Sequence, residues 1–399
     1  MKPEAKIQDI EFVPERSLSL ETGRIAKQAD GAVVARLGDT MVLSTATISD
    51  SVNESNFFPL TVDYREKFAA GGKVPGGFIK REGRPTDKET LTARLIDRAV
   101  RPLFPDGFYH DVHVVNFVIS AGQDFDADVI AGVGSSAALM LSGAPFAGPF
   151  AEVRVGRVDG EYIVNPTMQQ TEESDLDLVV AGKQDALVMV EGEAHEISEE
   201  SMIEALDEAH RSIRRLCRGQ ERLVEQVGEP EPFEWEADLV PEELVERMKQ
   251  QYGQKVADHI HGPYSKEIFH GGISDIKDEA VDDVLGDEAE TPEGYTASDI
   301  RDAIGEVEKA EMRSMIVEEG KRIDGRDQTD VRDLWMEVGY LPRVHGSAIF
   351  TRGETQVLGS VSAKTSSTGC TSSEVPSVTE PSTCVSPRVK MADPCTRGR

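Results

Sequence analysis

The chain has 399 residues, 39% of them hydrophobic and 29% charged, which suits two or three soluble domains with ordinary cores. Its formal net charge is -30, from 73 Asp and Glu against 43 Lys and Arg. A mean field of that sign repels nucleic acids and anionic membranes alike, so indiscriminate adhesion to either is excluded and any polyanion must be met by a local patch. The same acidity would suit a salt-rich cytoplasm, where screening tames self-repulsion.

The opening "MKPEAKIQDIEF" has no apolar run and does not read as a secretory signal. From Gly31, "GAVVARLGDTMVLSTATIS" predicts two strands joined at the turn Leu37-Gly38-Asp39. Thr86 and Asp87 can cap a helix with Glu89 near its third position, and Leu91, Leu95 and Val100 give it an apolar stripe. "HVVNFVIS" (113–120) reads as a buried strand. "FDADVIAGVGSSAALML" reads as a tightly packed helix opened by acidic residues. Residues 129–151 carry no charge and are long enough to cross a bilayer, but Gly132, Gly134, Gly143, Gly148, Pro145 and Pro149 suit a packed helix and loop better. Two hairpins follow, one turning at Asp159-Gly160 and one around Gly182 to Asp185. Residues 1–195 are therefore expected to form an α+β domain.

The texture then changes. From Ser198, a capping residue, helical spacing runs to about Val317, broken at "GEPEPFEWEADL" and "HGPYSKEIFHGG", so residues 196–320 predict an acidic helical linker domain. The beginning then returns. "GSAIFTRGETQVL" (346–358) aligns without a gap on "GAVVARLGDTMVL" (31–43), with Gly31/Gly346, Gly38/Gly353, Thr40/Thr355, Val42/Val357 and Leu43/Leu358 identical. A duplicated domain explains this better than two similar hairpins, and residues 321–361 would be the start of the second copy. After Leu358 apolar periodicity vanishes. Residues 362–399 read either as a disordered tail or, preferably, as a reading frame lost near 359–364. The four cysteines (Cys217, Cys370, Cys384, Cys395) form no C-x-x-C pair, so neither a zinc site nor a disulfide framework is indicated. A cytoplasmic location is expected.

The stretch with chemistry in it is "GGKVPGGFIKREGRPTDKETLTARLIDRAVRPLF" (71–104). It gathers Lys73, Lys80, Arg81, Arg84, Lys88, Arg94, Arg98 and Arg101 against only Glu82, Asp87, Glu89 and Asp97. Glycines let a backbone approach a ligand, the cations of the loop and of one helix face (Arg94, Arg98, Arg101) can track successive phosphates, and Phe78 offers a face for a base. "GGFIKREGRP" and "ETLTARLIDRAVRPLFP" resemble the polynucleotide phosphorylase family. So do "FFPLTVDYREKFAAGGKVPGG", "NPTMQQTEESDLDLVVAG" and "KRIDGRDQTDVRDL" with "HGSAIFTRGETQVLG".

The resemblance covers roughly Ile10 to Gly359. It implies a ribonuclease-PH-type first domain, the helical linker and an incomplete second copy, that is, an α+β fold with an all-helical insert. It also implies a homotrimeric ring that degrades single-stranded RNA, mRNA included, from the 3′ end with inorganic phosphate, releases nucleoside diphosphates with Mg²⁺ assisting, and works with RNA-degradation partners. Phe78, Lys80, Arg81 and Arg84 would grip RNA; Arg94, Arg98 and Arg101 would lie toward the site shared between the domains. Ile79 and Lys80 stand where the family usually has Phe and Arg, which should weaken the grip. The family's phosphate-binding and metal-binding residues lie downstream of the point where the pattern is lost, so no catalytic or metal residue is assigned and this chain alone is expected to bind RNA and catalyse little.

Two other readings compete. A non-catalytic RNA-binding or assembly fragment fits the same residues. "GVGSSAALMLSG" (132–143) also resembles the glycine-serine phosphate loop of small-metabolite kinases, although helix is already under way before it. The acidic run Asp282, Asp283, Asp287, Glu288, Glu290 reads as a solvated face, and His110, His195 and His345 as polar surface residues without a nucleophile beside them.

Overall fold

A computed structural model describes residues 4–13, 16–53, 57–76, 78, 80–286, 288 and 290–361. The reading of residues 362–399, with three of the four cysteines, lies outside the described residues. The chain divides into two compact units, Met1–Leu239 and Val240–Arg399.

The first unit opens with strands β1 (Lys6–Val13), β2 (Arg16–Thr22), β3 (Gly31–Leu37), β4 (Thr40–Val52) and β5 (Leu60–Glu66), followed by helix α1 (Asp87–Val100) and strand β6 (His110–Ser120). These strands form one sheet in the order β1-β2-β3-β4-β6-β5, antiparallel except for the β5/β6 pair. Helix α2 (Asp128–Leu141) crosses this sheet. Then come β7 (Ala151–Val158), β8 (Glu161–Val164), the short α3 (Met168–Glu173), β9 (Leu176–Gly182) and β10 (Leu187–Ala194), whose sheet runs β10-β9-β7-β8. Helix α4 (Glu199–Val227) closes the unit.

The core sits around α2, where every residue except Met140 is buried. That explains its glycines. A Cβ on Gly132 would overlap the Glu152 carboxylate, and one on Gly134 the Ser44 hydroxyl. Small residues here admit a helix against sheet, so the stretch 132–143 is the body and C-terminal end of α2 and not a loop at a helix N-terminus. Asn116 is paired within this core: its carboxamide oxygen accepts from Ser44 at 2.6 Å and from Ser135 at 2.9 Å.

Several sequence expectations are corrected by the packing. Leu91 is 56% exposed; the buried stripe of α1 is Leu95, Ile96, Ala99 and Val100. Strand β6 alternates buried and exposed positions, so it is covered on one face only. His110 is a buried residue: its Nδ1 lies 2.9 Å from the Ser49 carbonyl and its ring 4.9 Å from Phe233. The spacing of α4 predicts a place in a linker domain beginning at 196, yet Ala205, Ala209, Ile213, Leu216, Cys217 and Leu223 bury in the first unit's core. Phe233 and Trp235 pack there too, and the compact unit therefore extends to Leu239. Composition does not reveal which core an amphipathic helix will join.

The second unit contains helices α5 (Glu242–Ile260), α6 (Lys266–Leu285) and α7 (Ala297–Glu319), packed around Leu244, Met248, Val256, Ile273, Ile300 and Ile304. Helix α6 continues through Gly271 and Gly272, so the expected break is shorter than "HGPYSKEIFHGG"; Gly272 is needed where His259 crosses. A three-stranded sheet follows, in the order β11 (Leu334–Val338), β12 (Gly346–Arg352), β13 (Thr355–Val361).

The structure strengthens the case for duplication. In the first unit Gly31 pairs with Ala46 and Leu37 with Thr40; in the second Gly346 pairs with Val361 and Arg352 with Thr355, every pair displaced by 315. The turn glycines match as well, Gly38 at φ 60° and Gly353 at φ 59°.

Candidate nucleic-acid interface

The cationic stretch leaves the end of β5, makes a turn at Phe68–Gly71, passes through the glycine-rich loop and enters α1. Helix α1 starts where the sequence says. Thr86 Oγ1 accepts from the Glu89 N–H at 3.2 Å, and Glu89 Oε2 accepts from the Thr86 N–H at 2.7 Å, a reciprocal capping box. Glu89 does more than cap. Its Oε1 accepts from the Glu66 N–H at 2.8 Å and lies 3.3 Å from Arg65 Nε, which fastens the helix start to β5.

Three of the four carboxylates in the stretch, Glu82, Glu89 and Asp97, have structural partners, while Asp87 is exposed in the first turn of α1. Glu82 pairs with Lys67 at 2.9 Å and accepts from the Phe68 N–H at 3.1 Å; the Lys67 hydrogen bond holds its carboxyl below the usual range, against partial burial. Asp97 holds Arg101. None of these three carboxylates is left to neutralise the loop. Lys73, Lys80, Arg81 and Arg84 are exposed and make no ion pair among the described residues, and Phe78 is fully exposed at 102%. Lys80 sits at φ 54°, a left-handed conformation that costs a lysine free energy.

The helix cations divide. Arg94 is exposed and without an ion pair among the described residues. Arg98 pairs with Glu191 of β10. Arg101 donates to the Phe58 and Leu60 carbonyls at 2.8 and 3.2 Å, chelates Asp97 and lies over the Phe57 and Phe58 rings. It is a half-buried strut, so the three do not form one free row. Lys88 bridges Glu66 and Asp126, each at 2.9 Å; burial opposes its charge, but Asp126 and Glu66 outweigh that and push its pKa up. The free positive charge is therefore the loop plus Arg94, a set that can meet successive phosphates while Phe78 offers a ring for stacking.

Sequence reasoning missed a second charged cluster. Arg154 of β7 bridges Asp128 at the start of α2 and Asp177 of β9. Beside it Glu152 is buried, with Oε1 lacking any hydrogen-bond partner among the described residues. Desolvation, helped by Asp128 and opposed by Arg98, pushes its pKa well up. In sequence these residues are ordinary strand charges, and only their depth distinguishes them.

No group of three or more His, Cys, Asp or Glu among the described residues is placed to hold a metal ion. The described residues thus offer no such site for the Mg²⁺ that the resemblance implies. Among the described residues no helix is long and apolar enough to cross a membrane. Cys217 is buried with its thiol pushed up to about 12 by desolvation, an inert core residue.

Comparison with known proteins adds to this geometry. Residues 15–145, and again residues 330–397, match the model of the 3′ exoribonuclease family, domain 1; residues 148–212 match domain 2 of that family. Residues 243–327 match polyribonucleotide nucleotidyltransferase, RNA binding domain. A polyribonucleotide nucleotidyltransferase of Salinibacter ruber is 90% identical over 366 residues, 92% of this chain and 51% of that protein. The chain belongs to the polyribonucleotide nucleotidyltransferase family. Another relative from this family, from Chlorobium chlorochromatii, is 44% identical over 357 residues, covering 86% of this chain and 49% of that protein. Among solved structures, that of rice Rrp46 aligns with a TM-score of 0.43 and 15% identity, over 53% of this chain and 96% of that one. The chain spans about half the length of the curated family members it matches.

Proposed function

We propose that this chain is the RNA-gripping part of a phosphorolytic 3′-to-5′ exoribonuclease, with the loop between β5 and α1 as the grip. One observation carries the reading: Lys80, Arg81 and Arg84 stand exposed and unneutralised because Glu82 and Glu89 are fastened to β5 and the turn after it. In a protein of net charge -30, such a patch needs an anionic ligand, and a chain of phosphates fits a linear set of cations. Arg94 extends this positive surface along α1, with Arg98 and Arg101 supporting the helix. In the reaction, an oxygen of inorganic phosphate bonds to the phosphorus of the terminal nucleotide. The 3′ oxygen of the preceding nucleotide leaves, and a nucleoside diphosphate is released. That chemistry needs an anion site for the attacking phosphate and stabilisation of the leaving oxyanion. In this reading both come from groups beyond the described residues, the assembly is a cytoplasmic homotrimer using Mg²⁺, and the process is mRNA turnover alongside other RNA-degradation proteins.

The test is incubation of the purified chain with polyadenylate, phosphate and Mg²⁺, following bound RNA and released ADP. RNA should bind, and ADP should appear far more slowly than with a full-length family member. ADP release at the full-length rate would refute the placement of the catalytic groups outside the described residues. Absence of RNA binding would remove the loop from the reading.

A further inference from the structure

The excursion that carries the loop cations departs from β5 at Lys67 and Phe68 and comes back beside its own start. Its returning end holds Glu82, whose carboxylate meets Lys67 Nζ at 2.9 Å and the Phe68 N–H at 3.1 Å. One residue on, the Gly83 carbonyl accepts from Arg65 Nη2 at 2.9 Å. Lys67 is seated over the Phe117 ring of β6, 4.9 Å from its centroid, so the contact is anchored in the sheet. Within the excursion no other carboxylate is available, since Lys73 to Arg81 contains neither Asp nor Glu.

We infer that Glu82 is a positioning residue for RNA binding: by clasping Lys67 and Phe68 it closes the base of the loop and holds Lys80, Arg81 and Arg84 at fixed places beside the sheet. This rests on the reading of the loop as the RNA grip. The clasp has two effects. It removes conformational freedom that RNA binding would otherwise have to remove. It also turns a carboxylate adjacent in sequence to Arg81 toward Lys67, leaving the arginine's charge for phosphate.

The two effects of Glu82 on binding have opposite signs, which makes the inference testable. Glu82→Gln and Glu82→Ala each delete a negative charge next to Arg81, so charge alone makes both variants bind RNA more tightly and equally. Loss of the clasp does the reverse. Glu82→Ala should weaken binding of a fluorescent oligoadenylate at fixed salt by roughly three- to tenfold. Glu82→Gln should fall between it and the parent, because the amide oxygen still accepts from the Phe68 N–H. Hydrogen exchange at the Phe68 amide should accelerate in the same order. Retained protection of the β4 and β6 amides separates a freed loop from an unfolded domain, and Glu82→Gln carries the test if the alanine variant loses that protection. Tighter binding by both variants overturns the clasp. The reference arm is Lys80, Arg81 and Arg84 changed together to Ala. If that triple leaves oligoadenylate binding unchanged, the RNA reading falls and takes the positioning role with it. If the triple weakens binding and Glu82→Ala does not, the clasp alone falls.

Discussion

Glu152 shows what a single residue's depth can do. Placed on β7 against the glycine face of α2, with an oxygen unpartnered among the described residues, it is held by burial toward its protonated form, with Asp128 adding to the shift and Arg98 opposing it. A carboxyl whose folded pKa is raised contributes stability that is complete below the ordinary carboxylate range and is lost as pH climbs toward the raised value. Glu152→Gln should remove that dependence. The thermal midpoint of the variant should exceed the parent's at about pH 8 and the gap should close by about pH 5. A gap that is constant with pH would show that Glu152 does not titrate in the folded protein. The residue scale also separates Arg81 from Arg101. In sequence both are arginines of one basic stretch; in the fold one faces water and the other braces two backbone carbonyls.

At the scale of elements, the repeated hairpin provides an internal control. Gly31 and Gly346 occupy the same place in strands of identical register, but their surroundings differ. A Cβ on Gly31 would overlap the Ala138 carbonyl of α2, whereas among the described residues nothing lies within 4 Å of one on Gly346. Gly31→Ala should therefore destabilise the first unit by about 1–3 kcal/mol through overpacking of helix on sheet. Gly346→Ala should stay within about 0.5 kcal/mol. Thermal unfolding of both variants checks the pair, and equal losses would mean the glycines serve the strands and not the helix contact. The capping box at Thr86 and Glu89, the two hairpins of the second sheet and the turn at Gly38 were legible in the sequence, because each depends on residues within a few positions of one another. Helix α4 was legible as a helix but not as part of the first core, since its partners, Ile10 of β1 among them, are distant in the chain.

Over the whole molecule, the proposed grip stands out by its charge. Residues 73–84 hold Lys73, Lys80, Arg81 and Arg84 against Glu82 alone, while residues 243–327, which match the RNA binding domain model, hold twenty-two Asp and Glu against eleven Lys and Arg. The net sign of that helical segment opposes bulk attraction of RNA, which agrees with the proposed grip at the loop. Salt should then act in opposite directions on folding and on binding. Raising it toward about 1 M, where the Debye length is about 3 Å, should relieve self-repulsion and raise the unfolding midpoint while weakening oligoadenylate binding. A midpoint that falls with salt would contradict self-repulsion as the dominant long-range term.

The α+β class, the helical segment, the repeated hairpin and the identity of the basic stretch could be read from the residues alone, since strand alternation, helix caps, turn glycines and an ungapped repeat are short-range or one-dimensional signals. Which of the eight cations are free emerges only in the fold. Neutralisation depends on a carboxylate coming within a few ångströms, and Arg98 meets Glu191, Lys88 meets Asp126 and Glu82 meets Lys67 through folding rather than through proximity along the stretch.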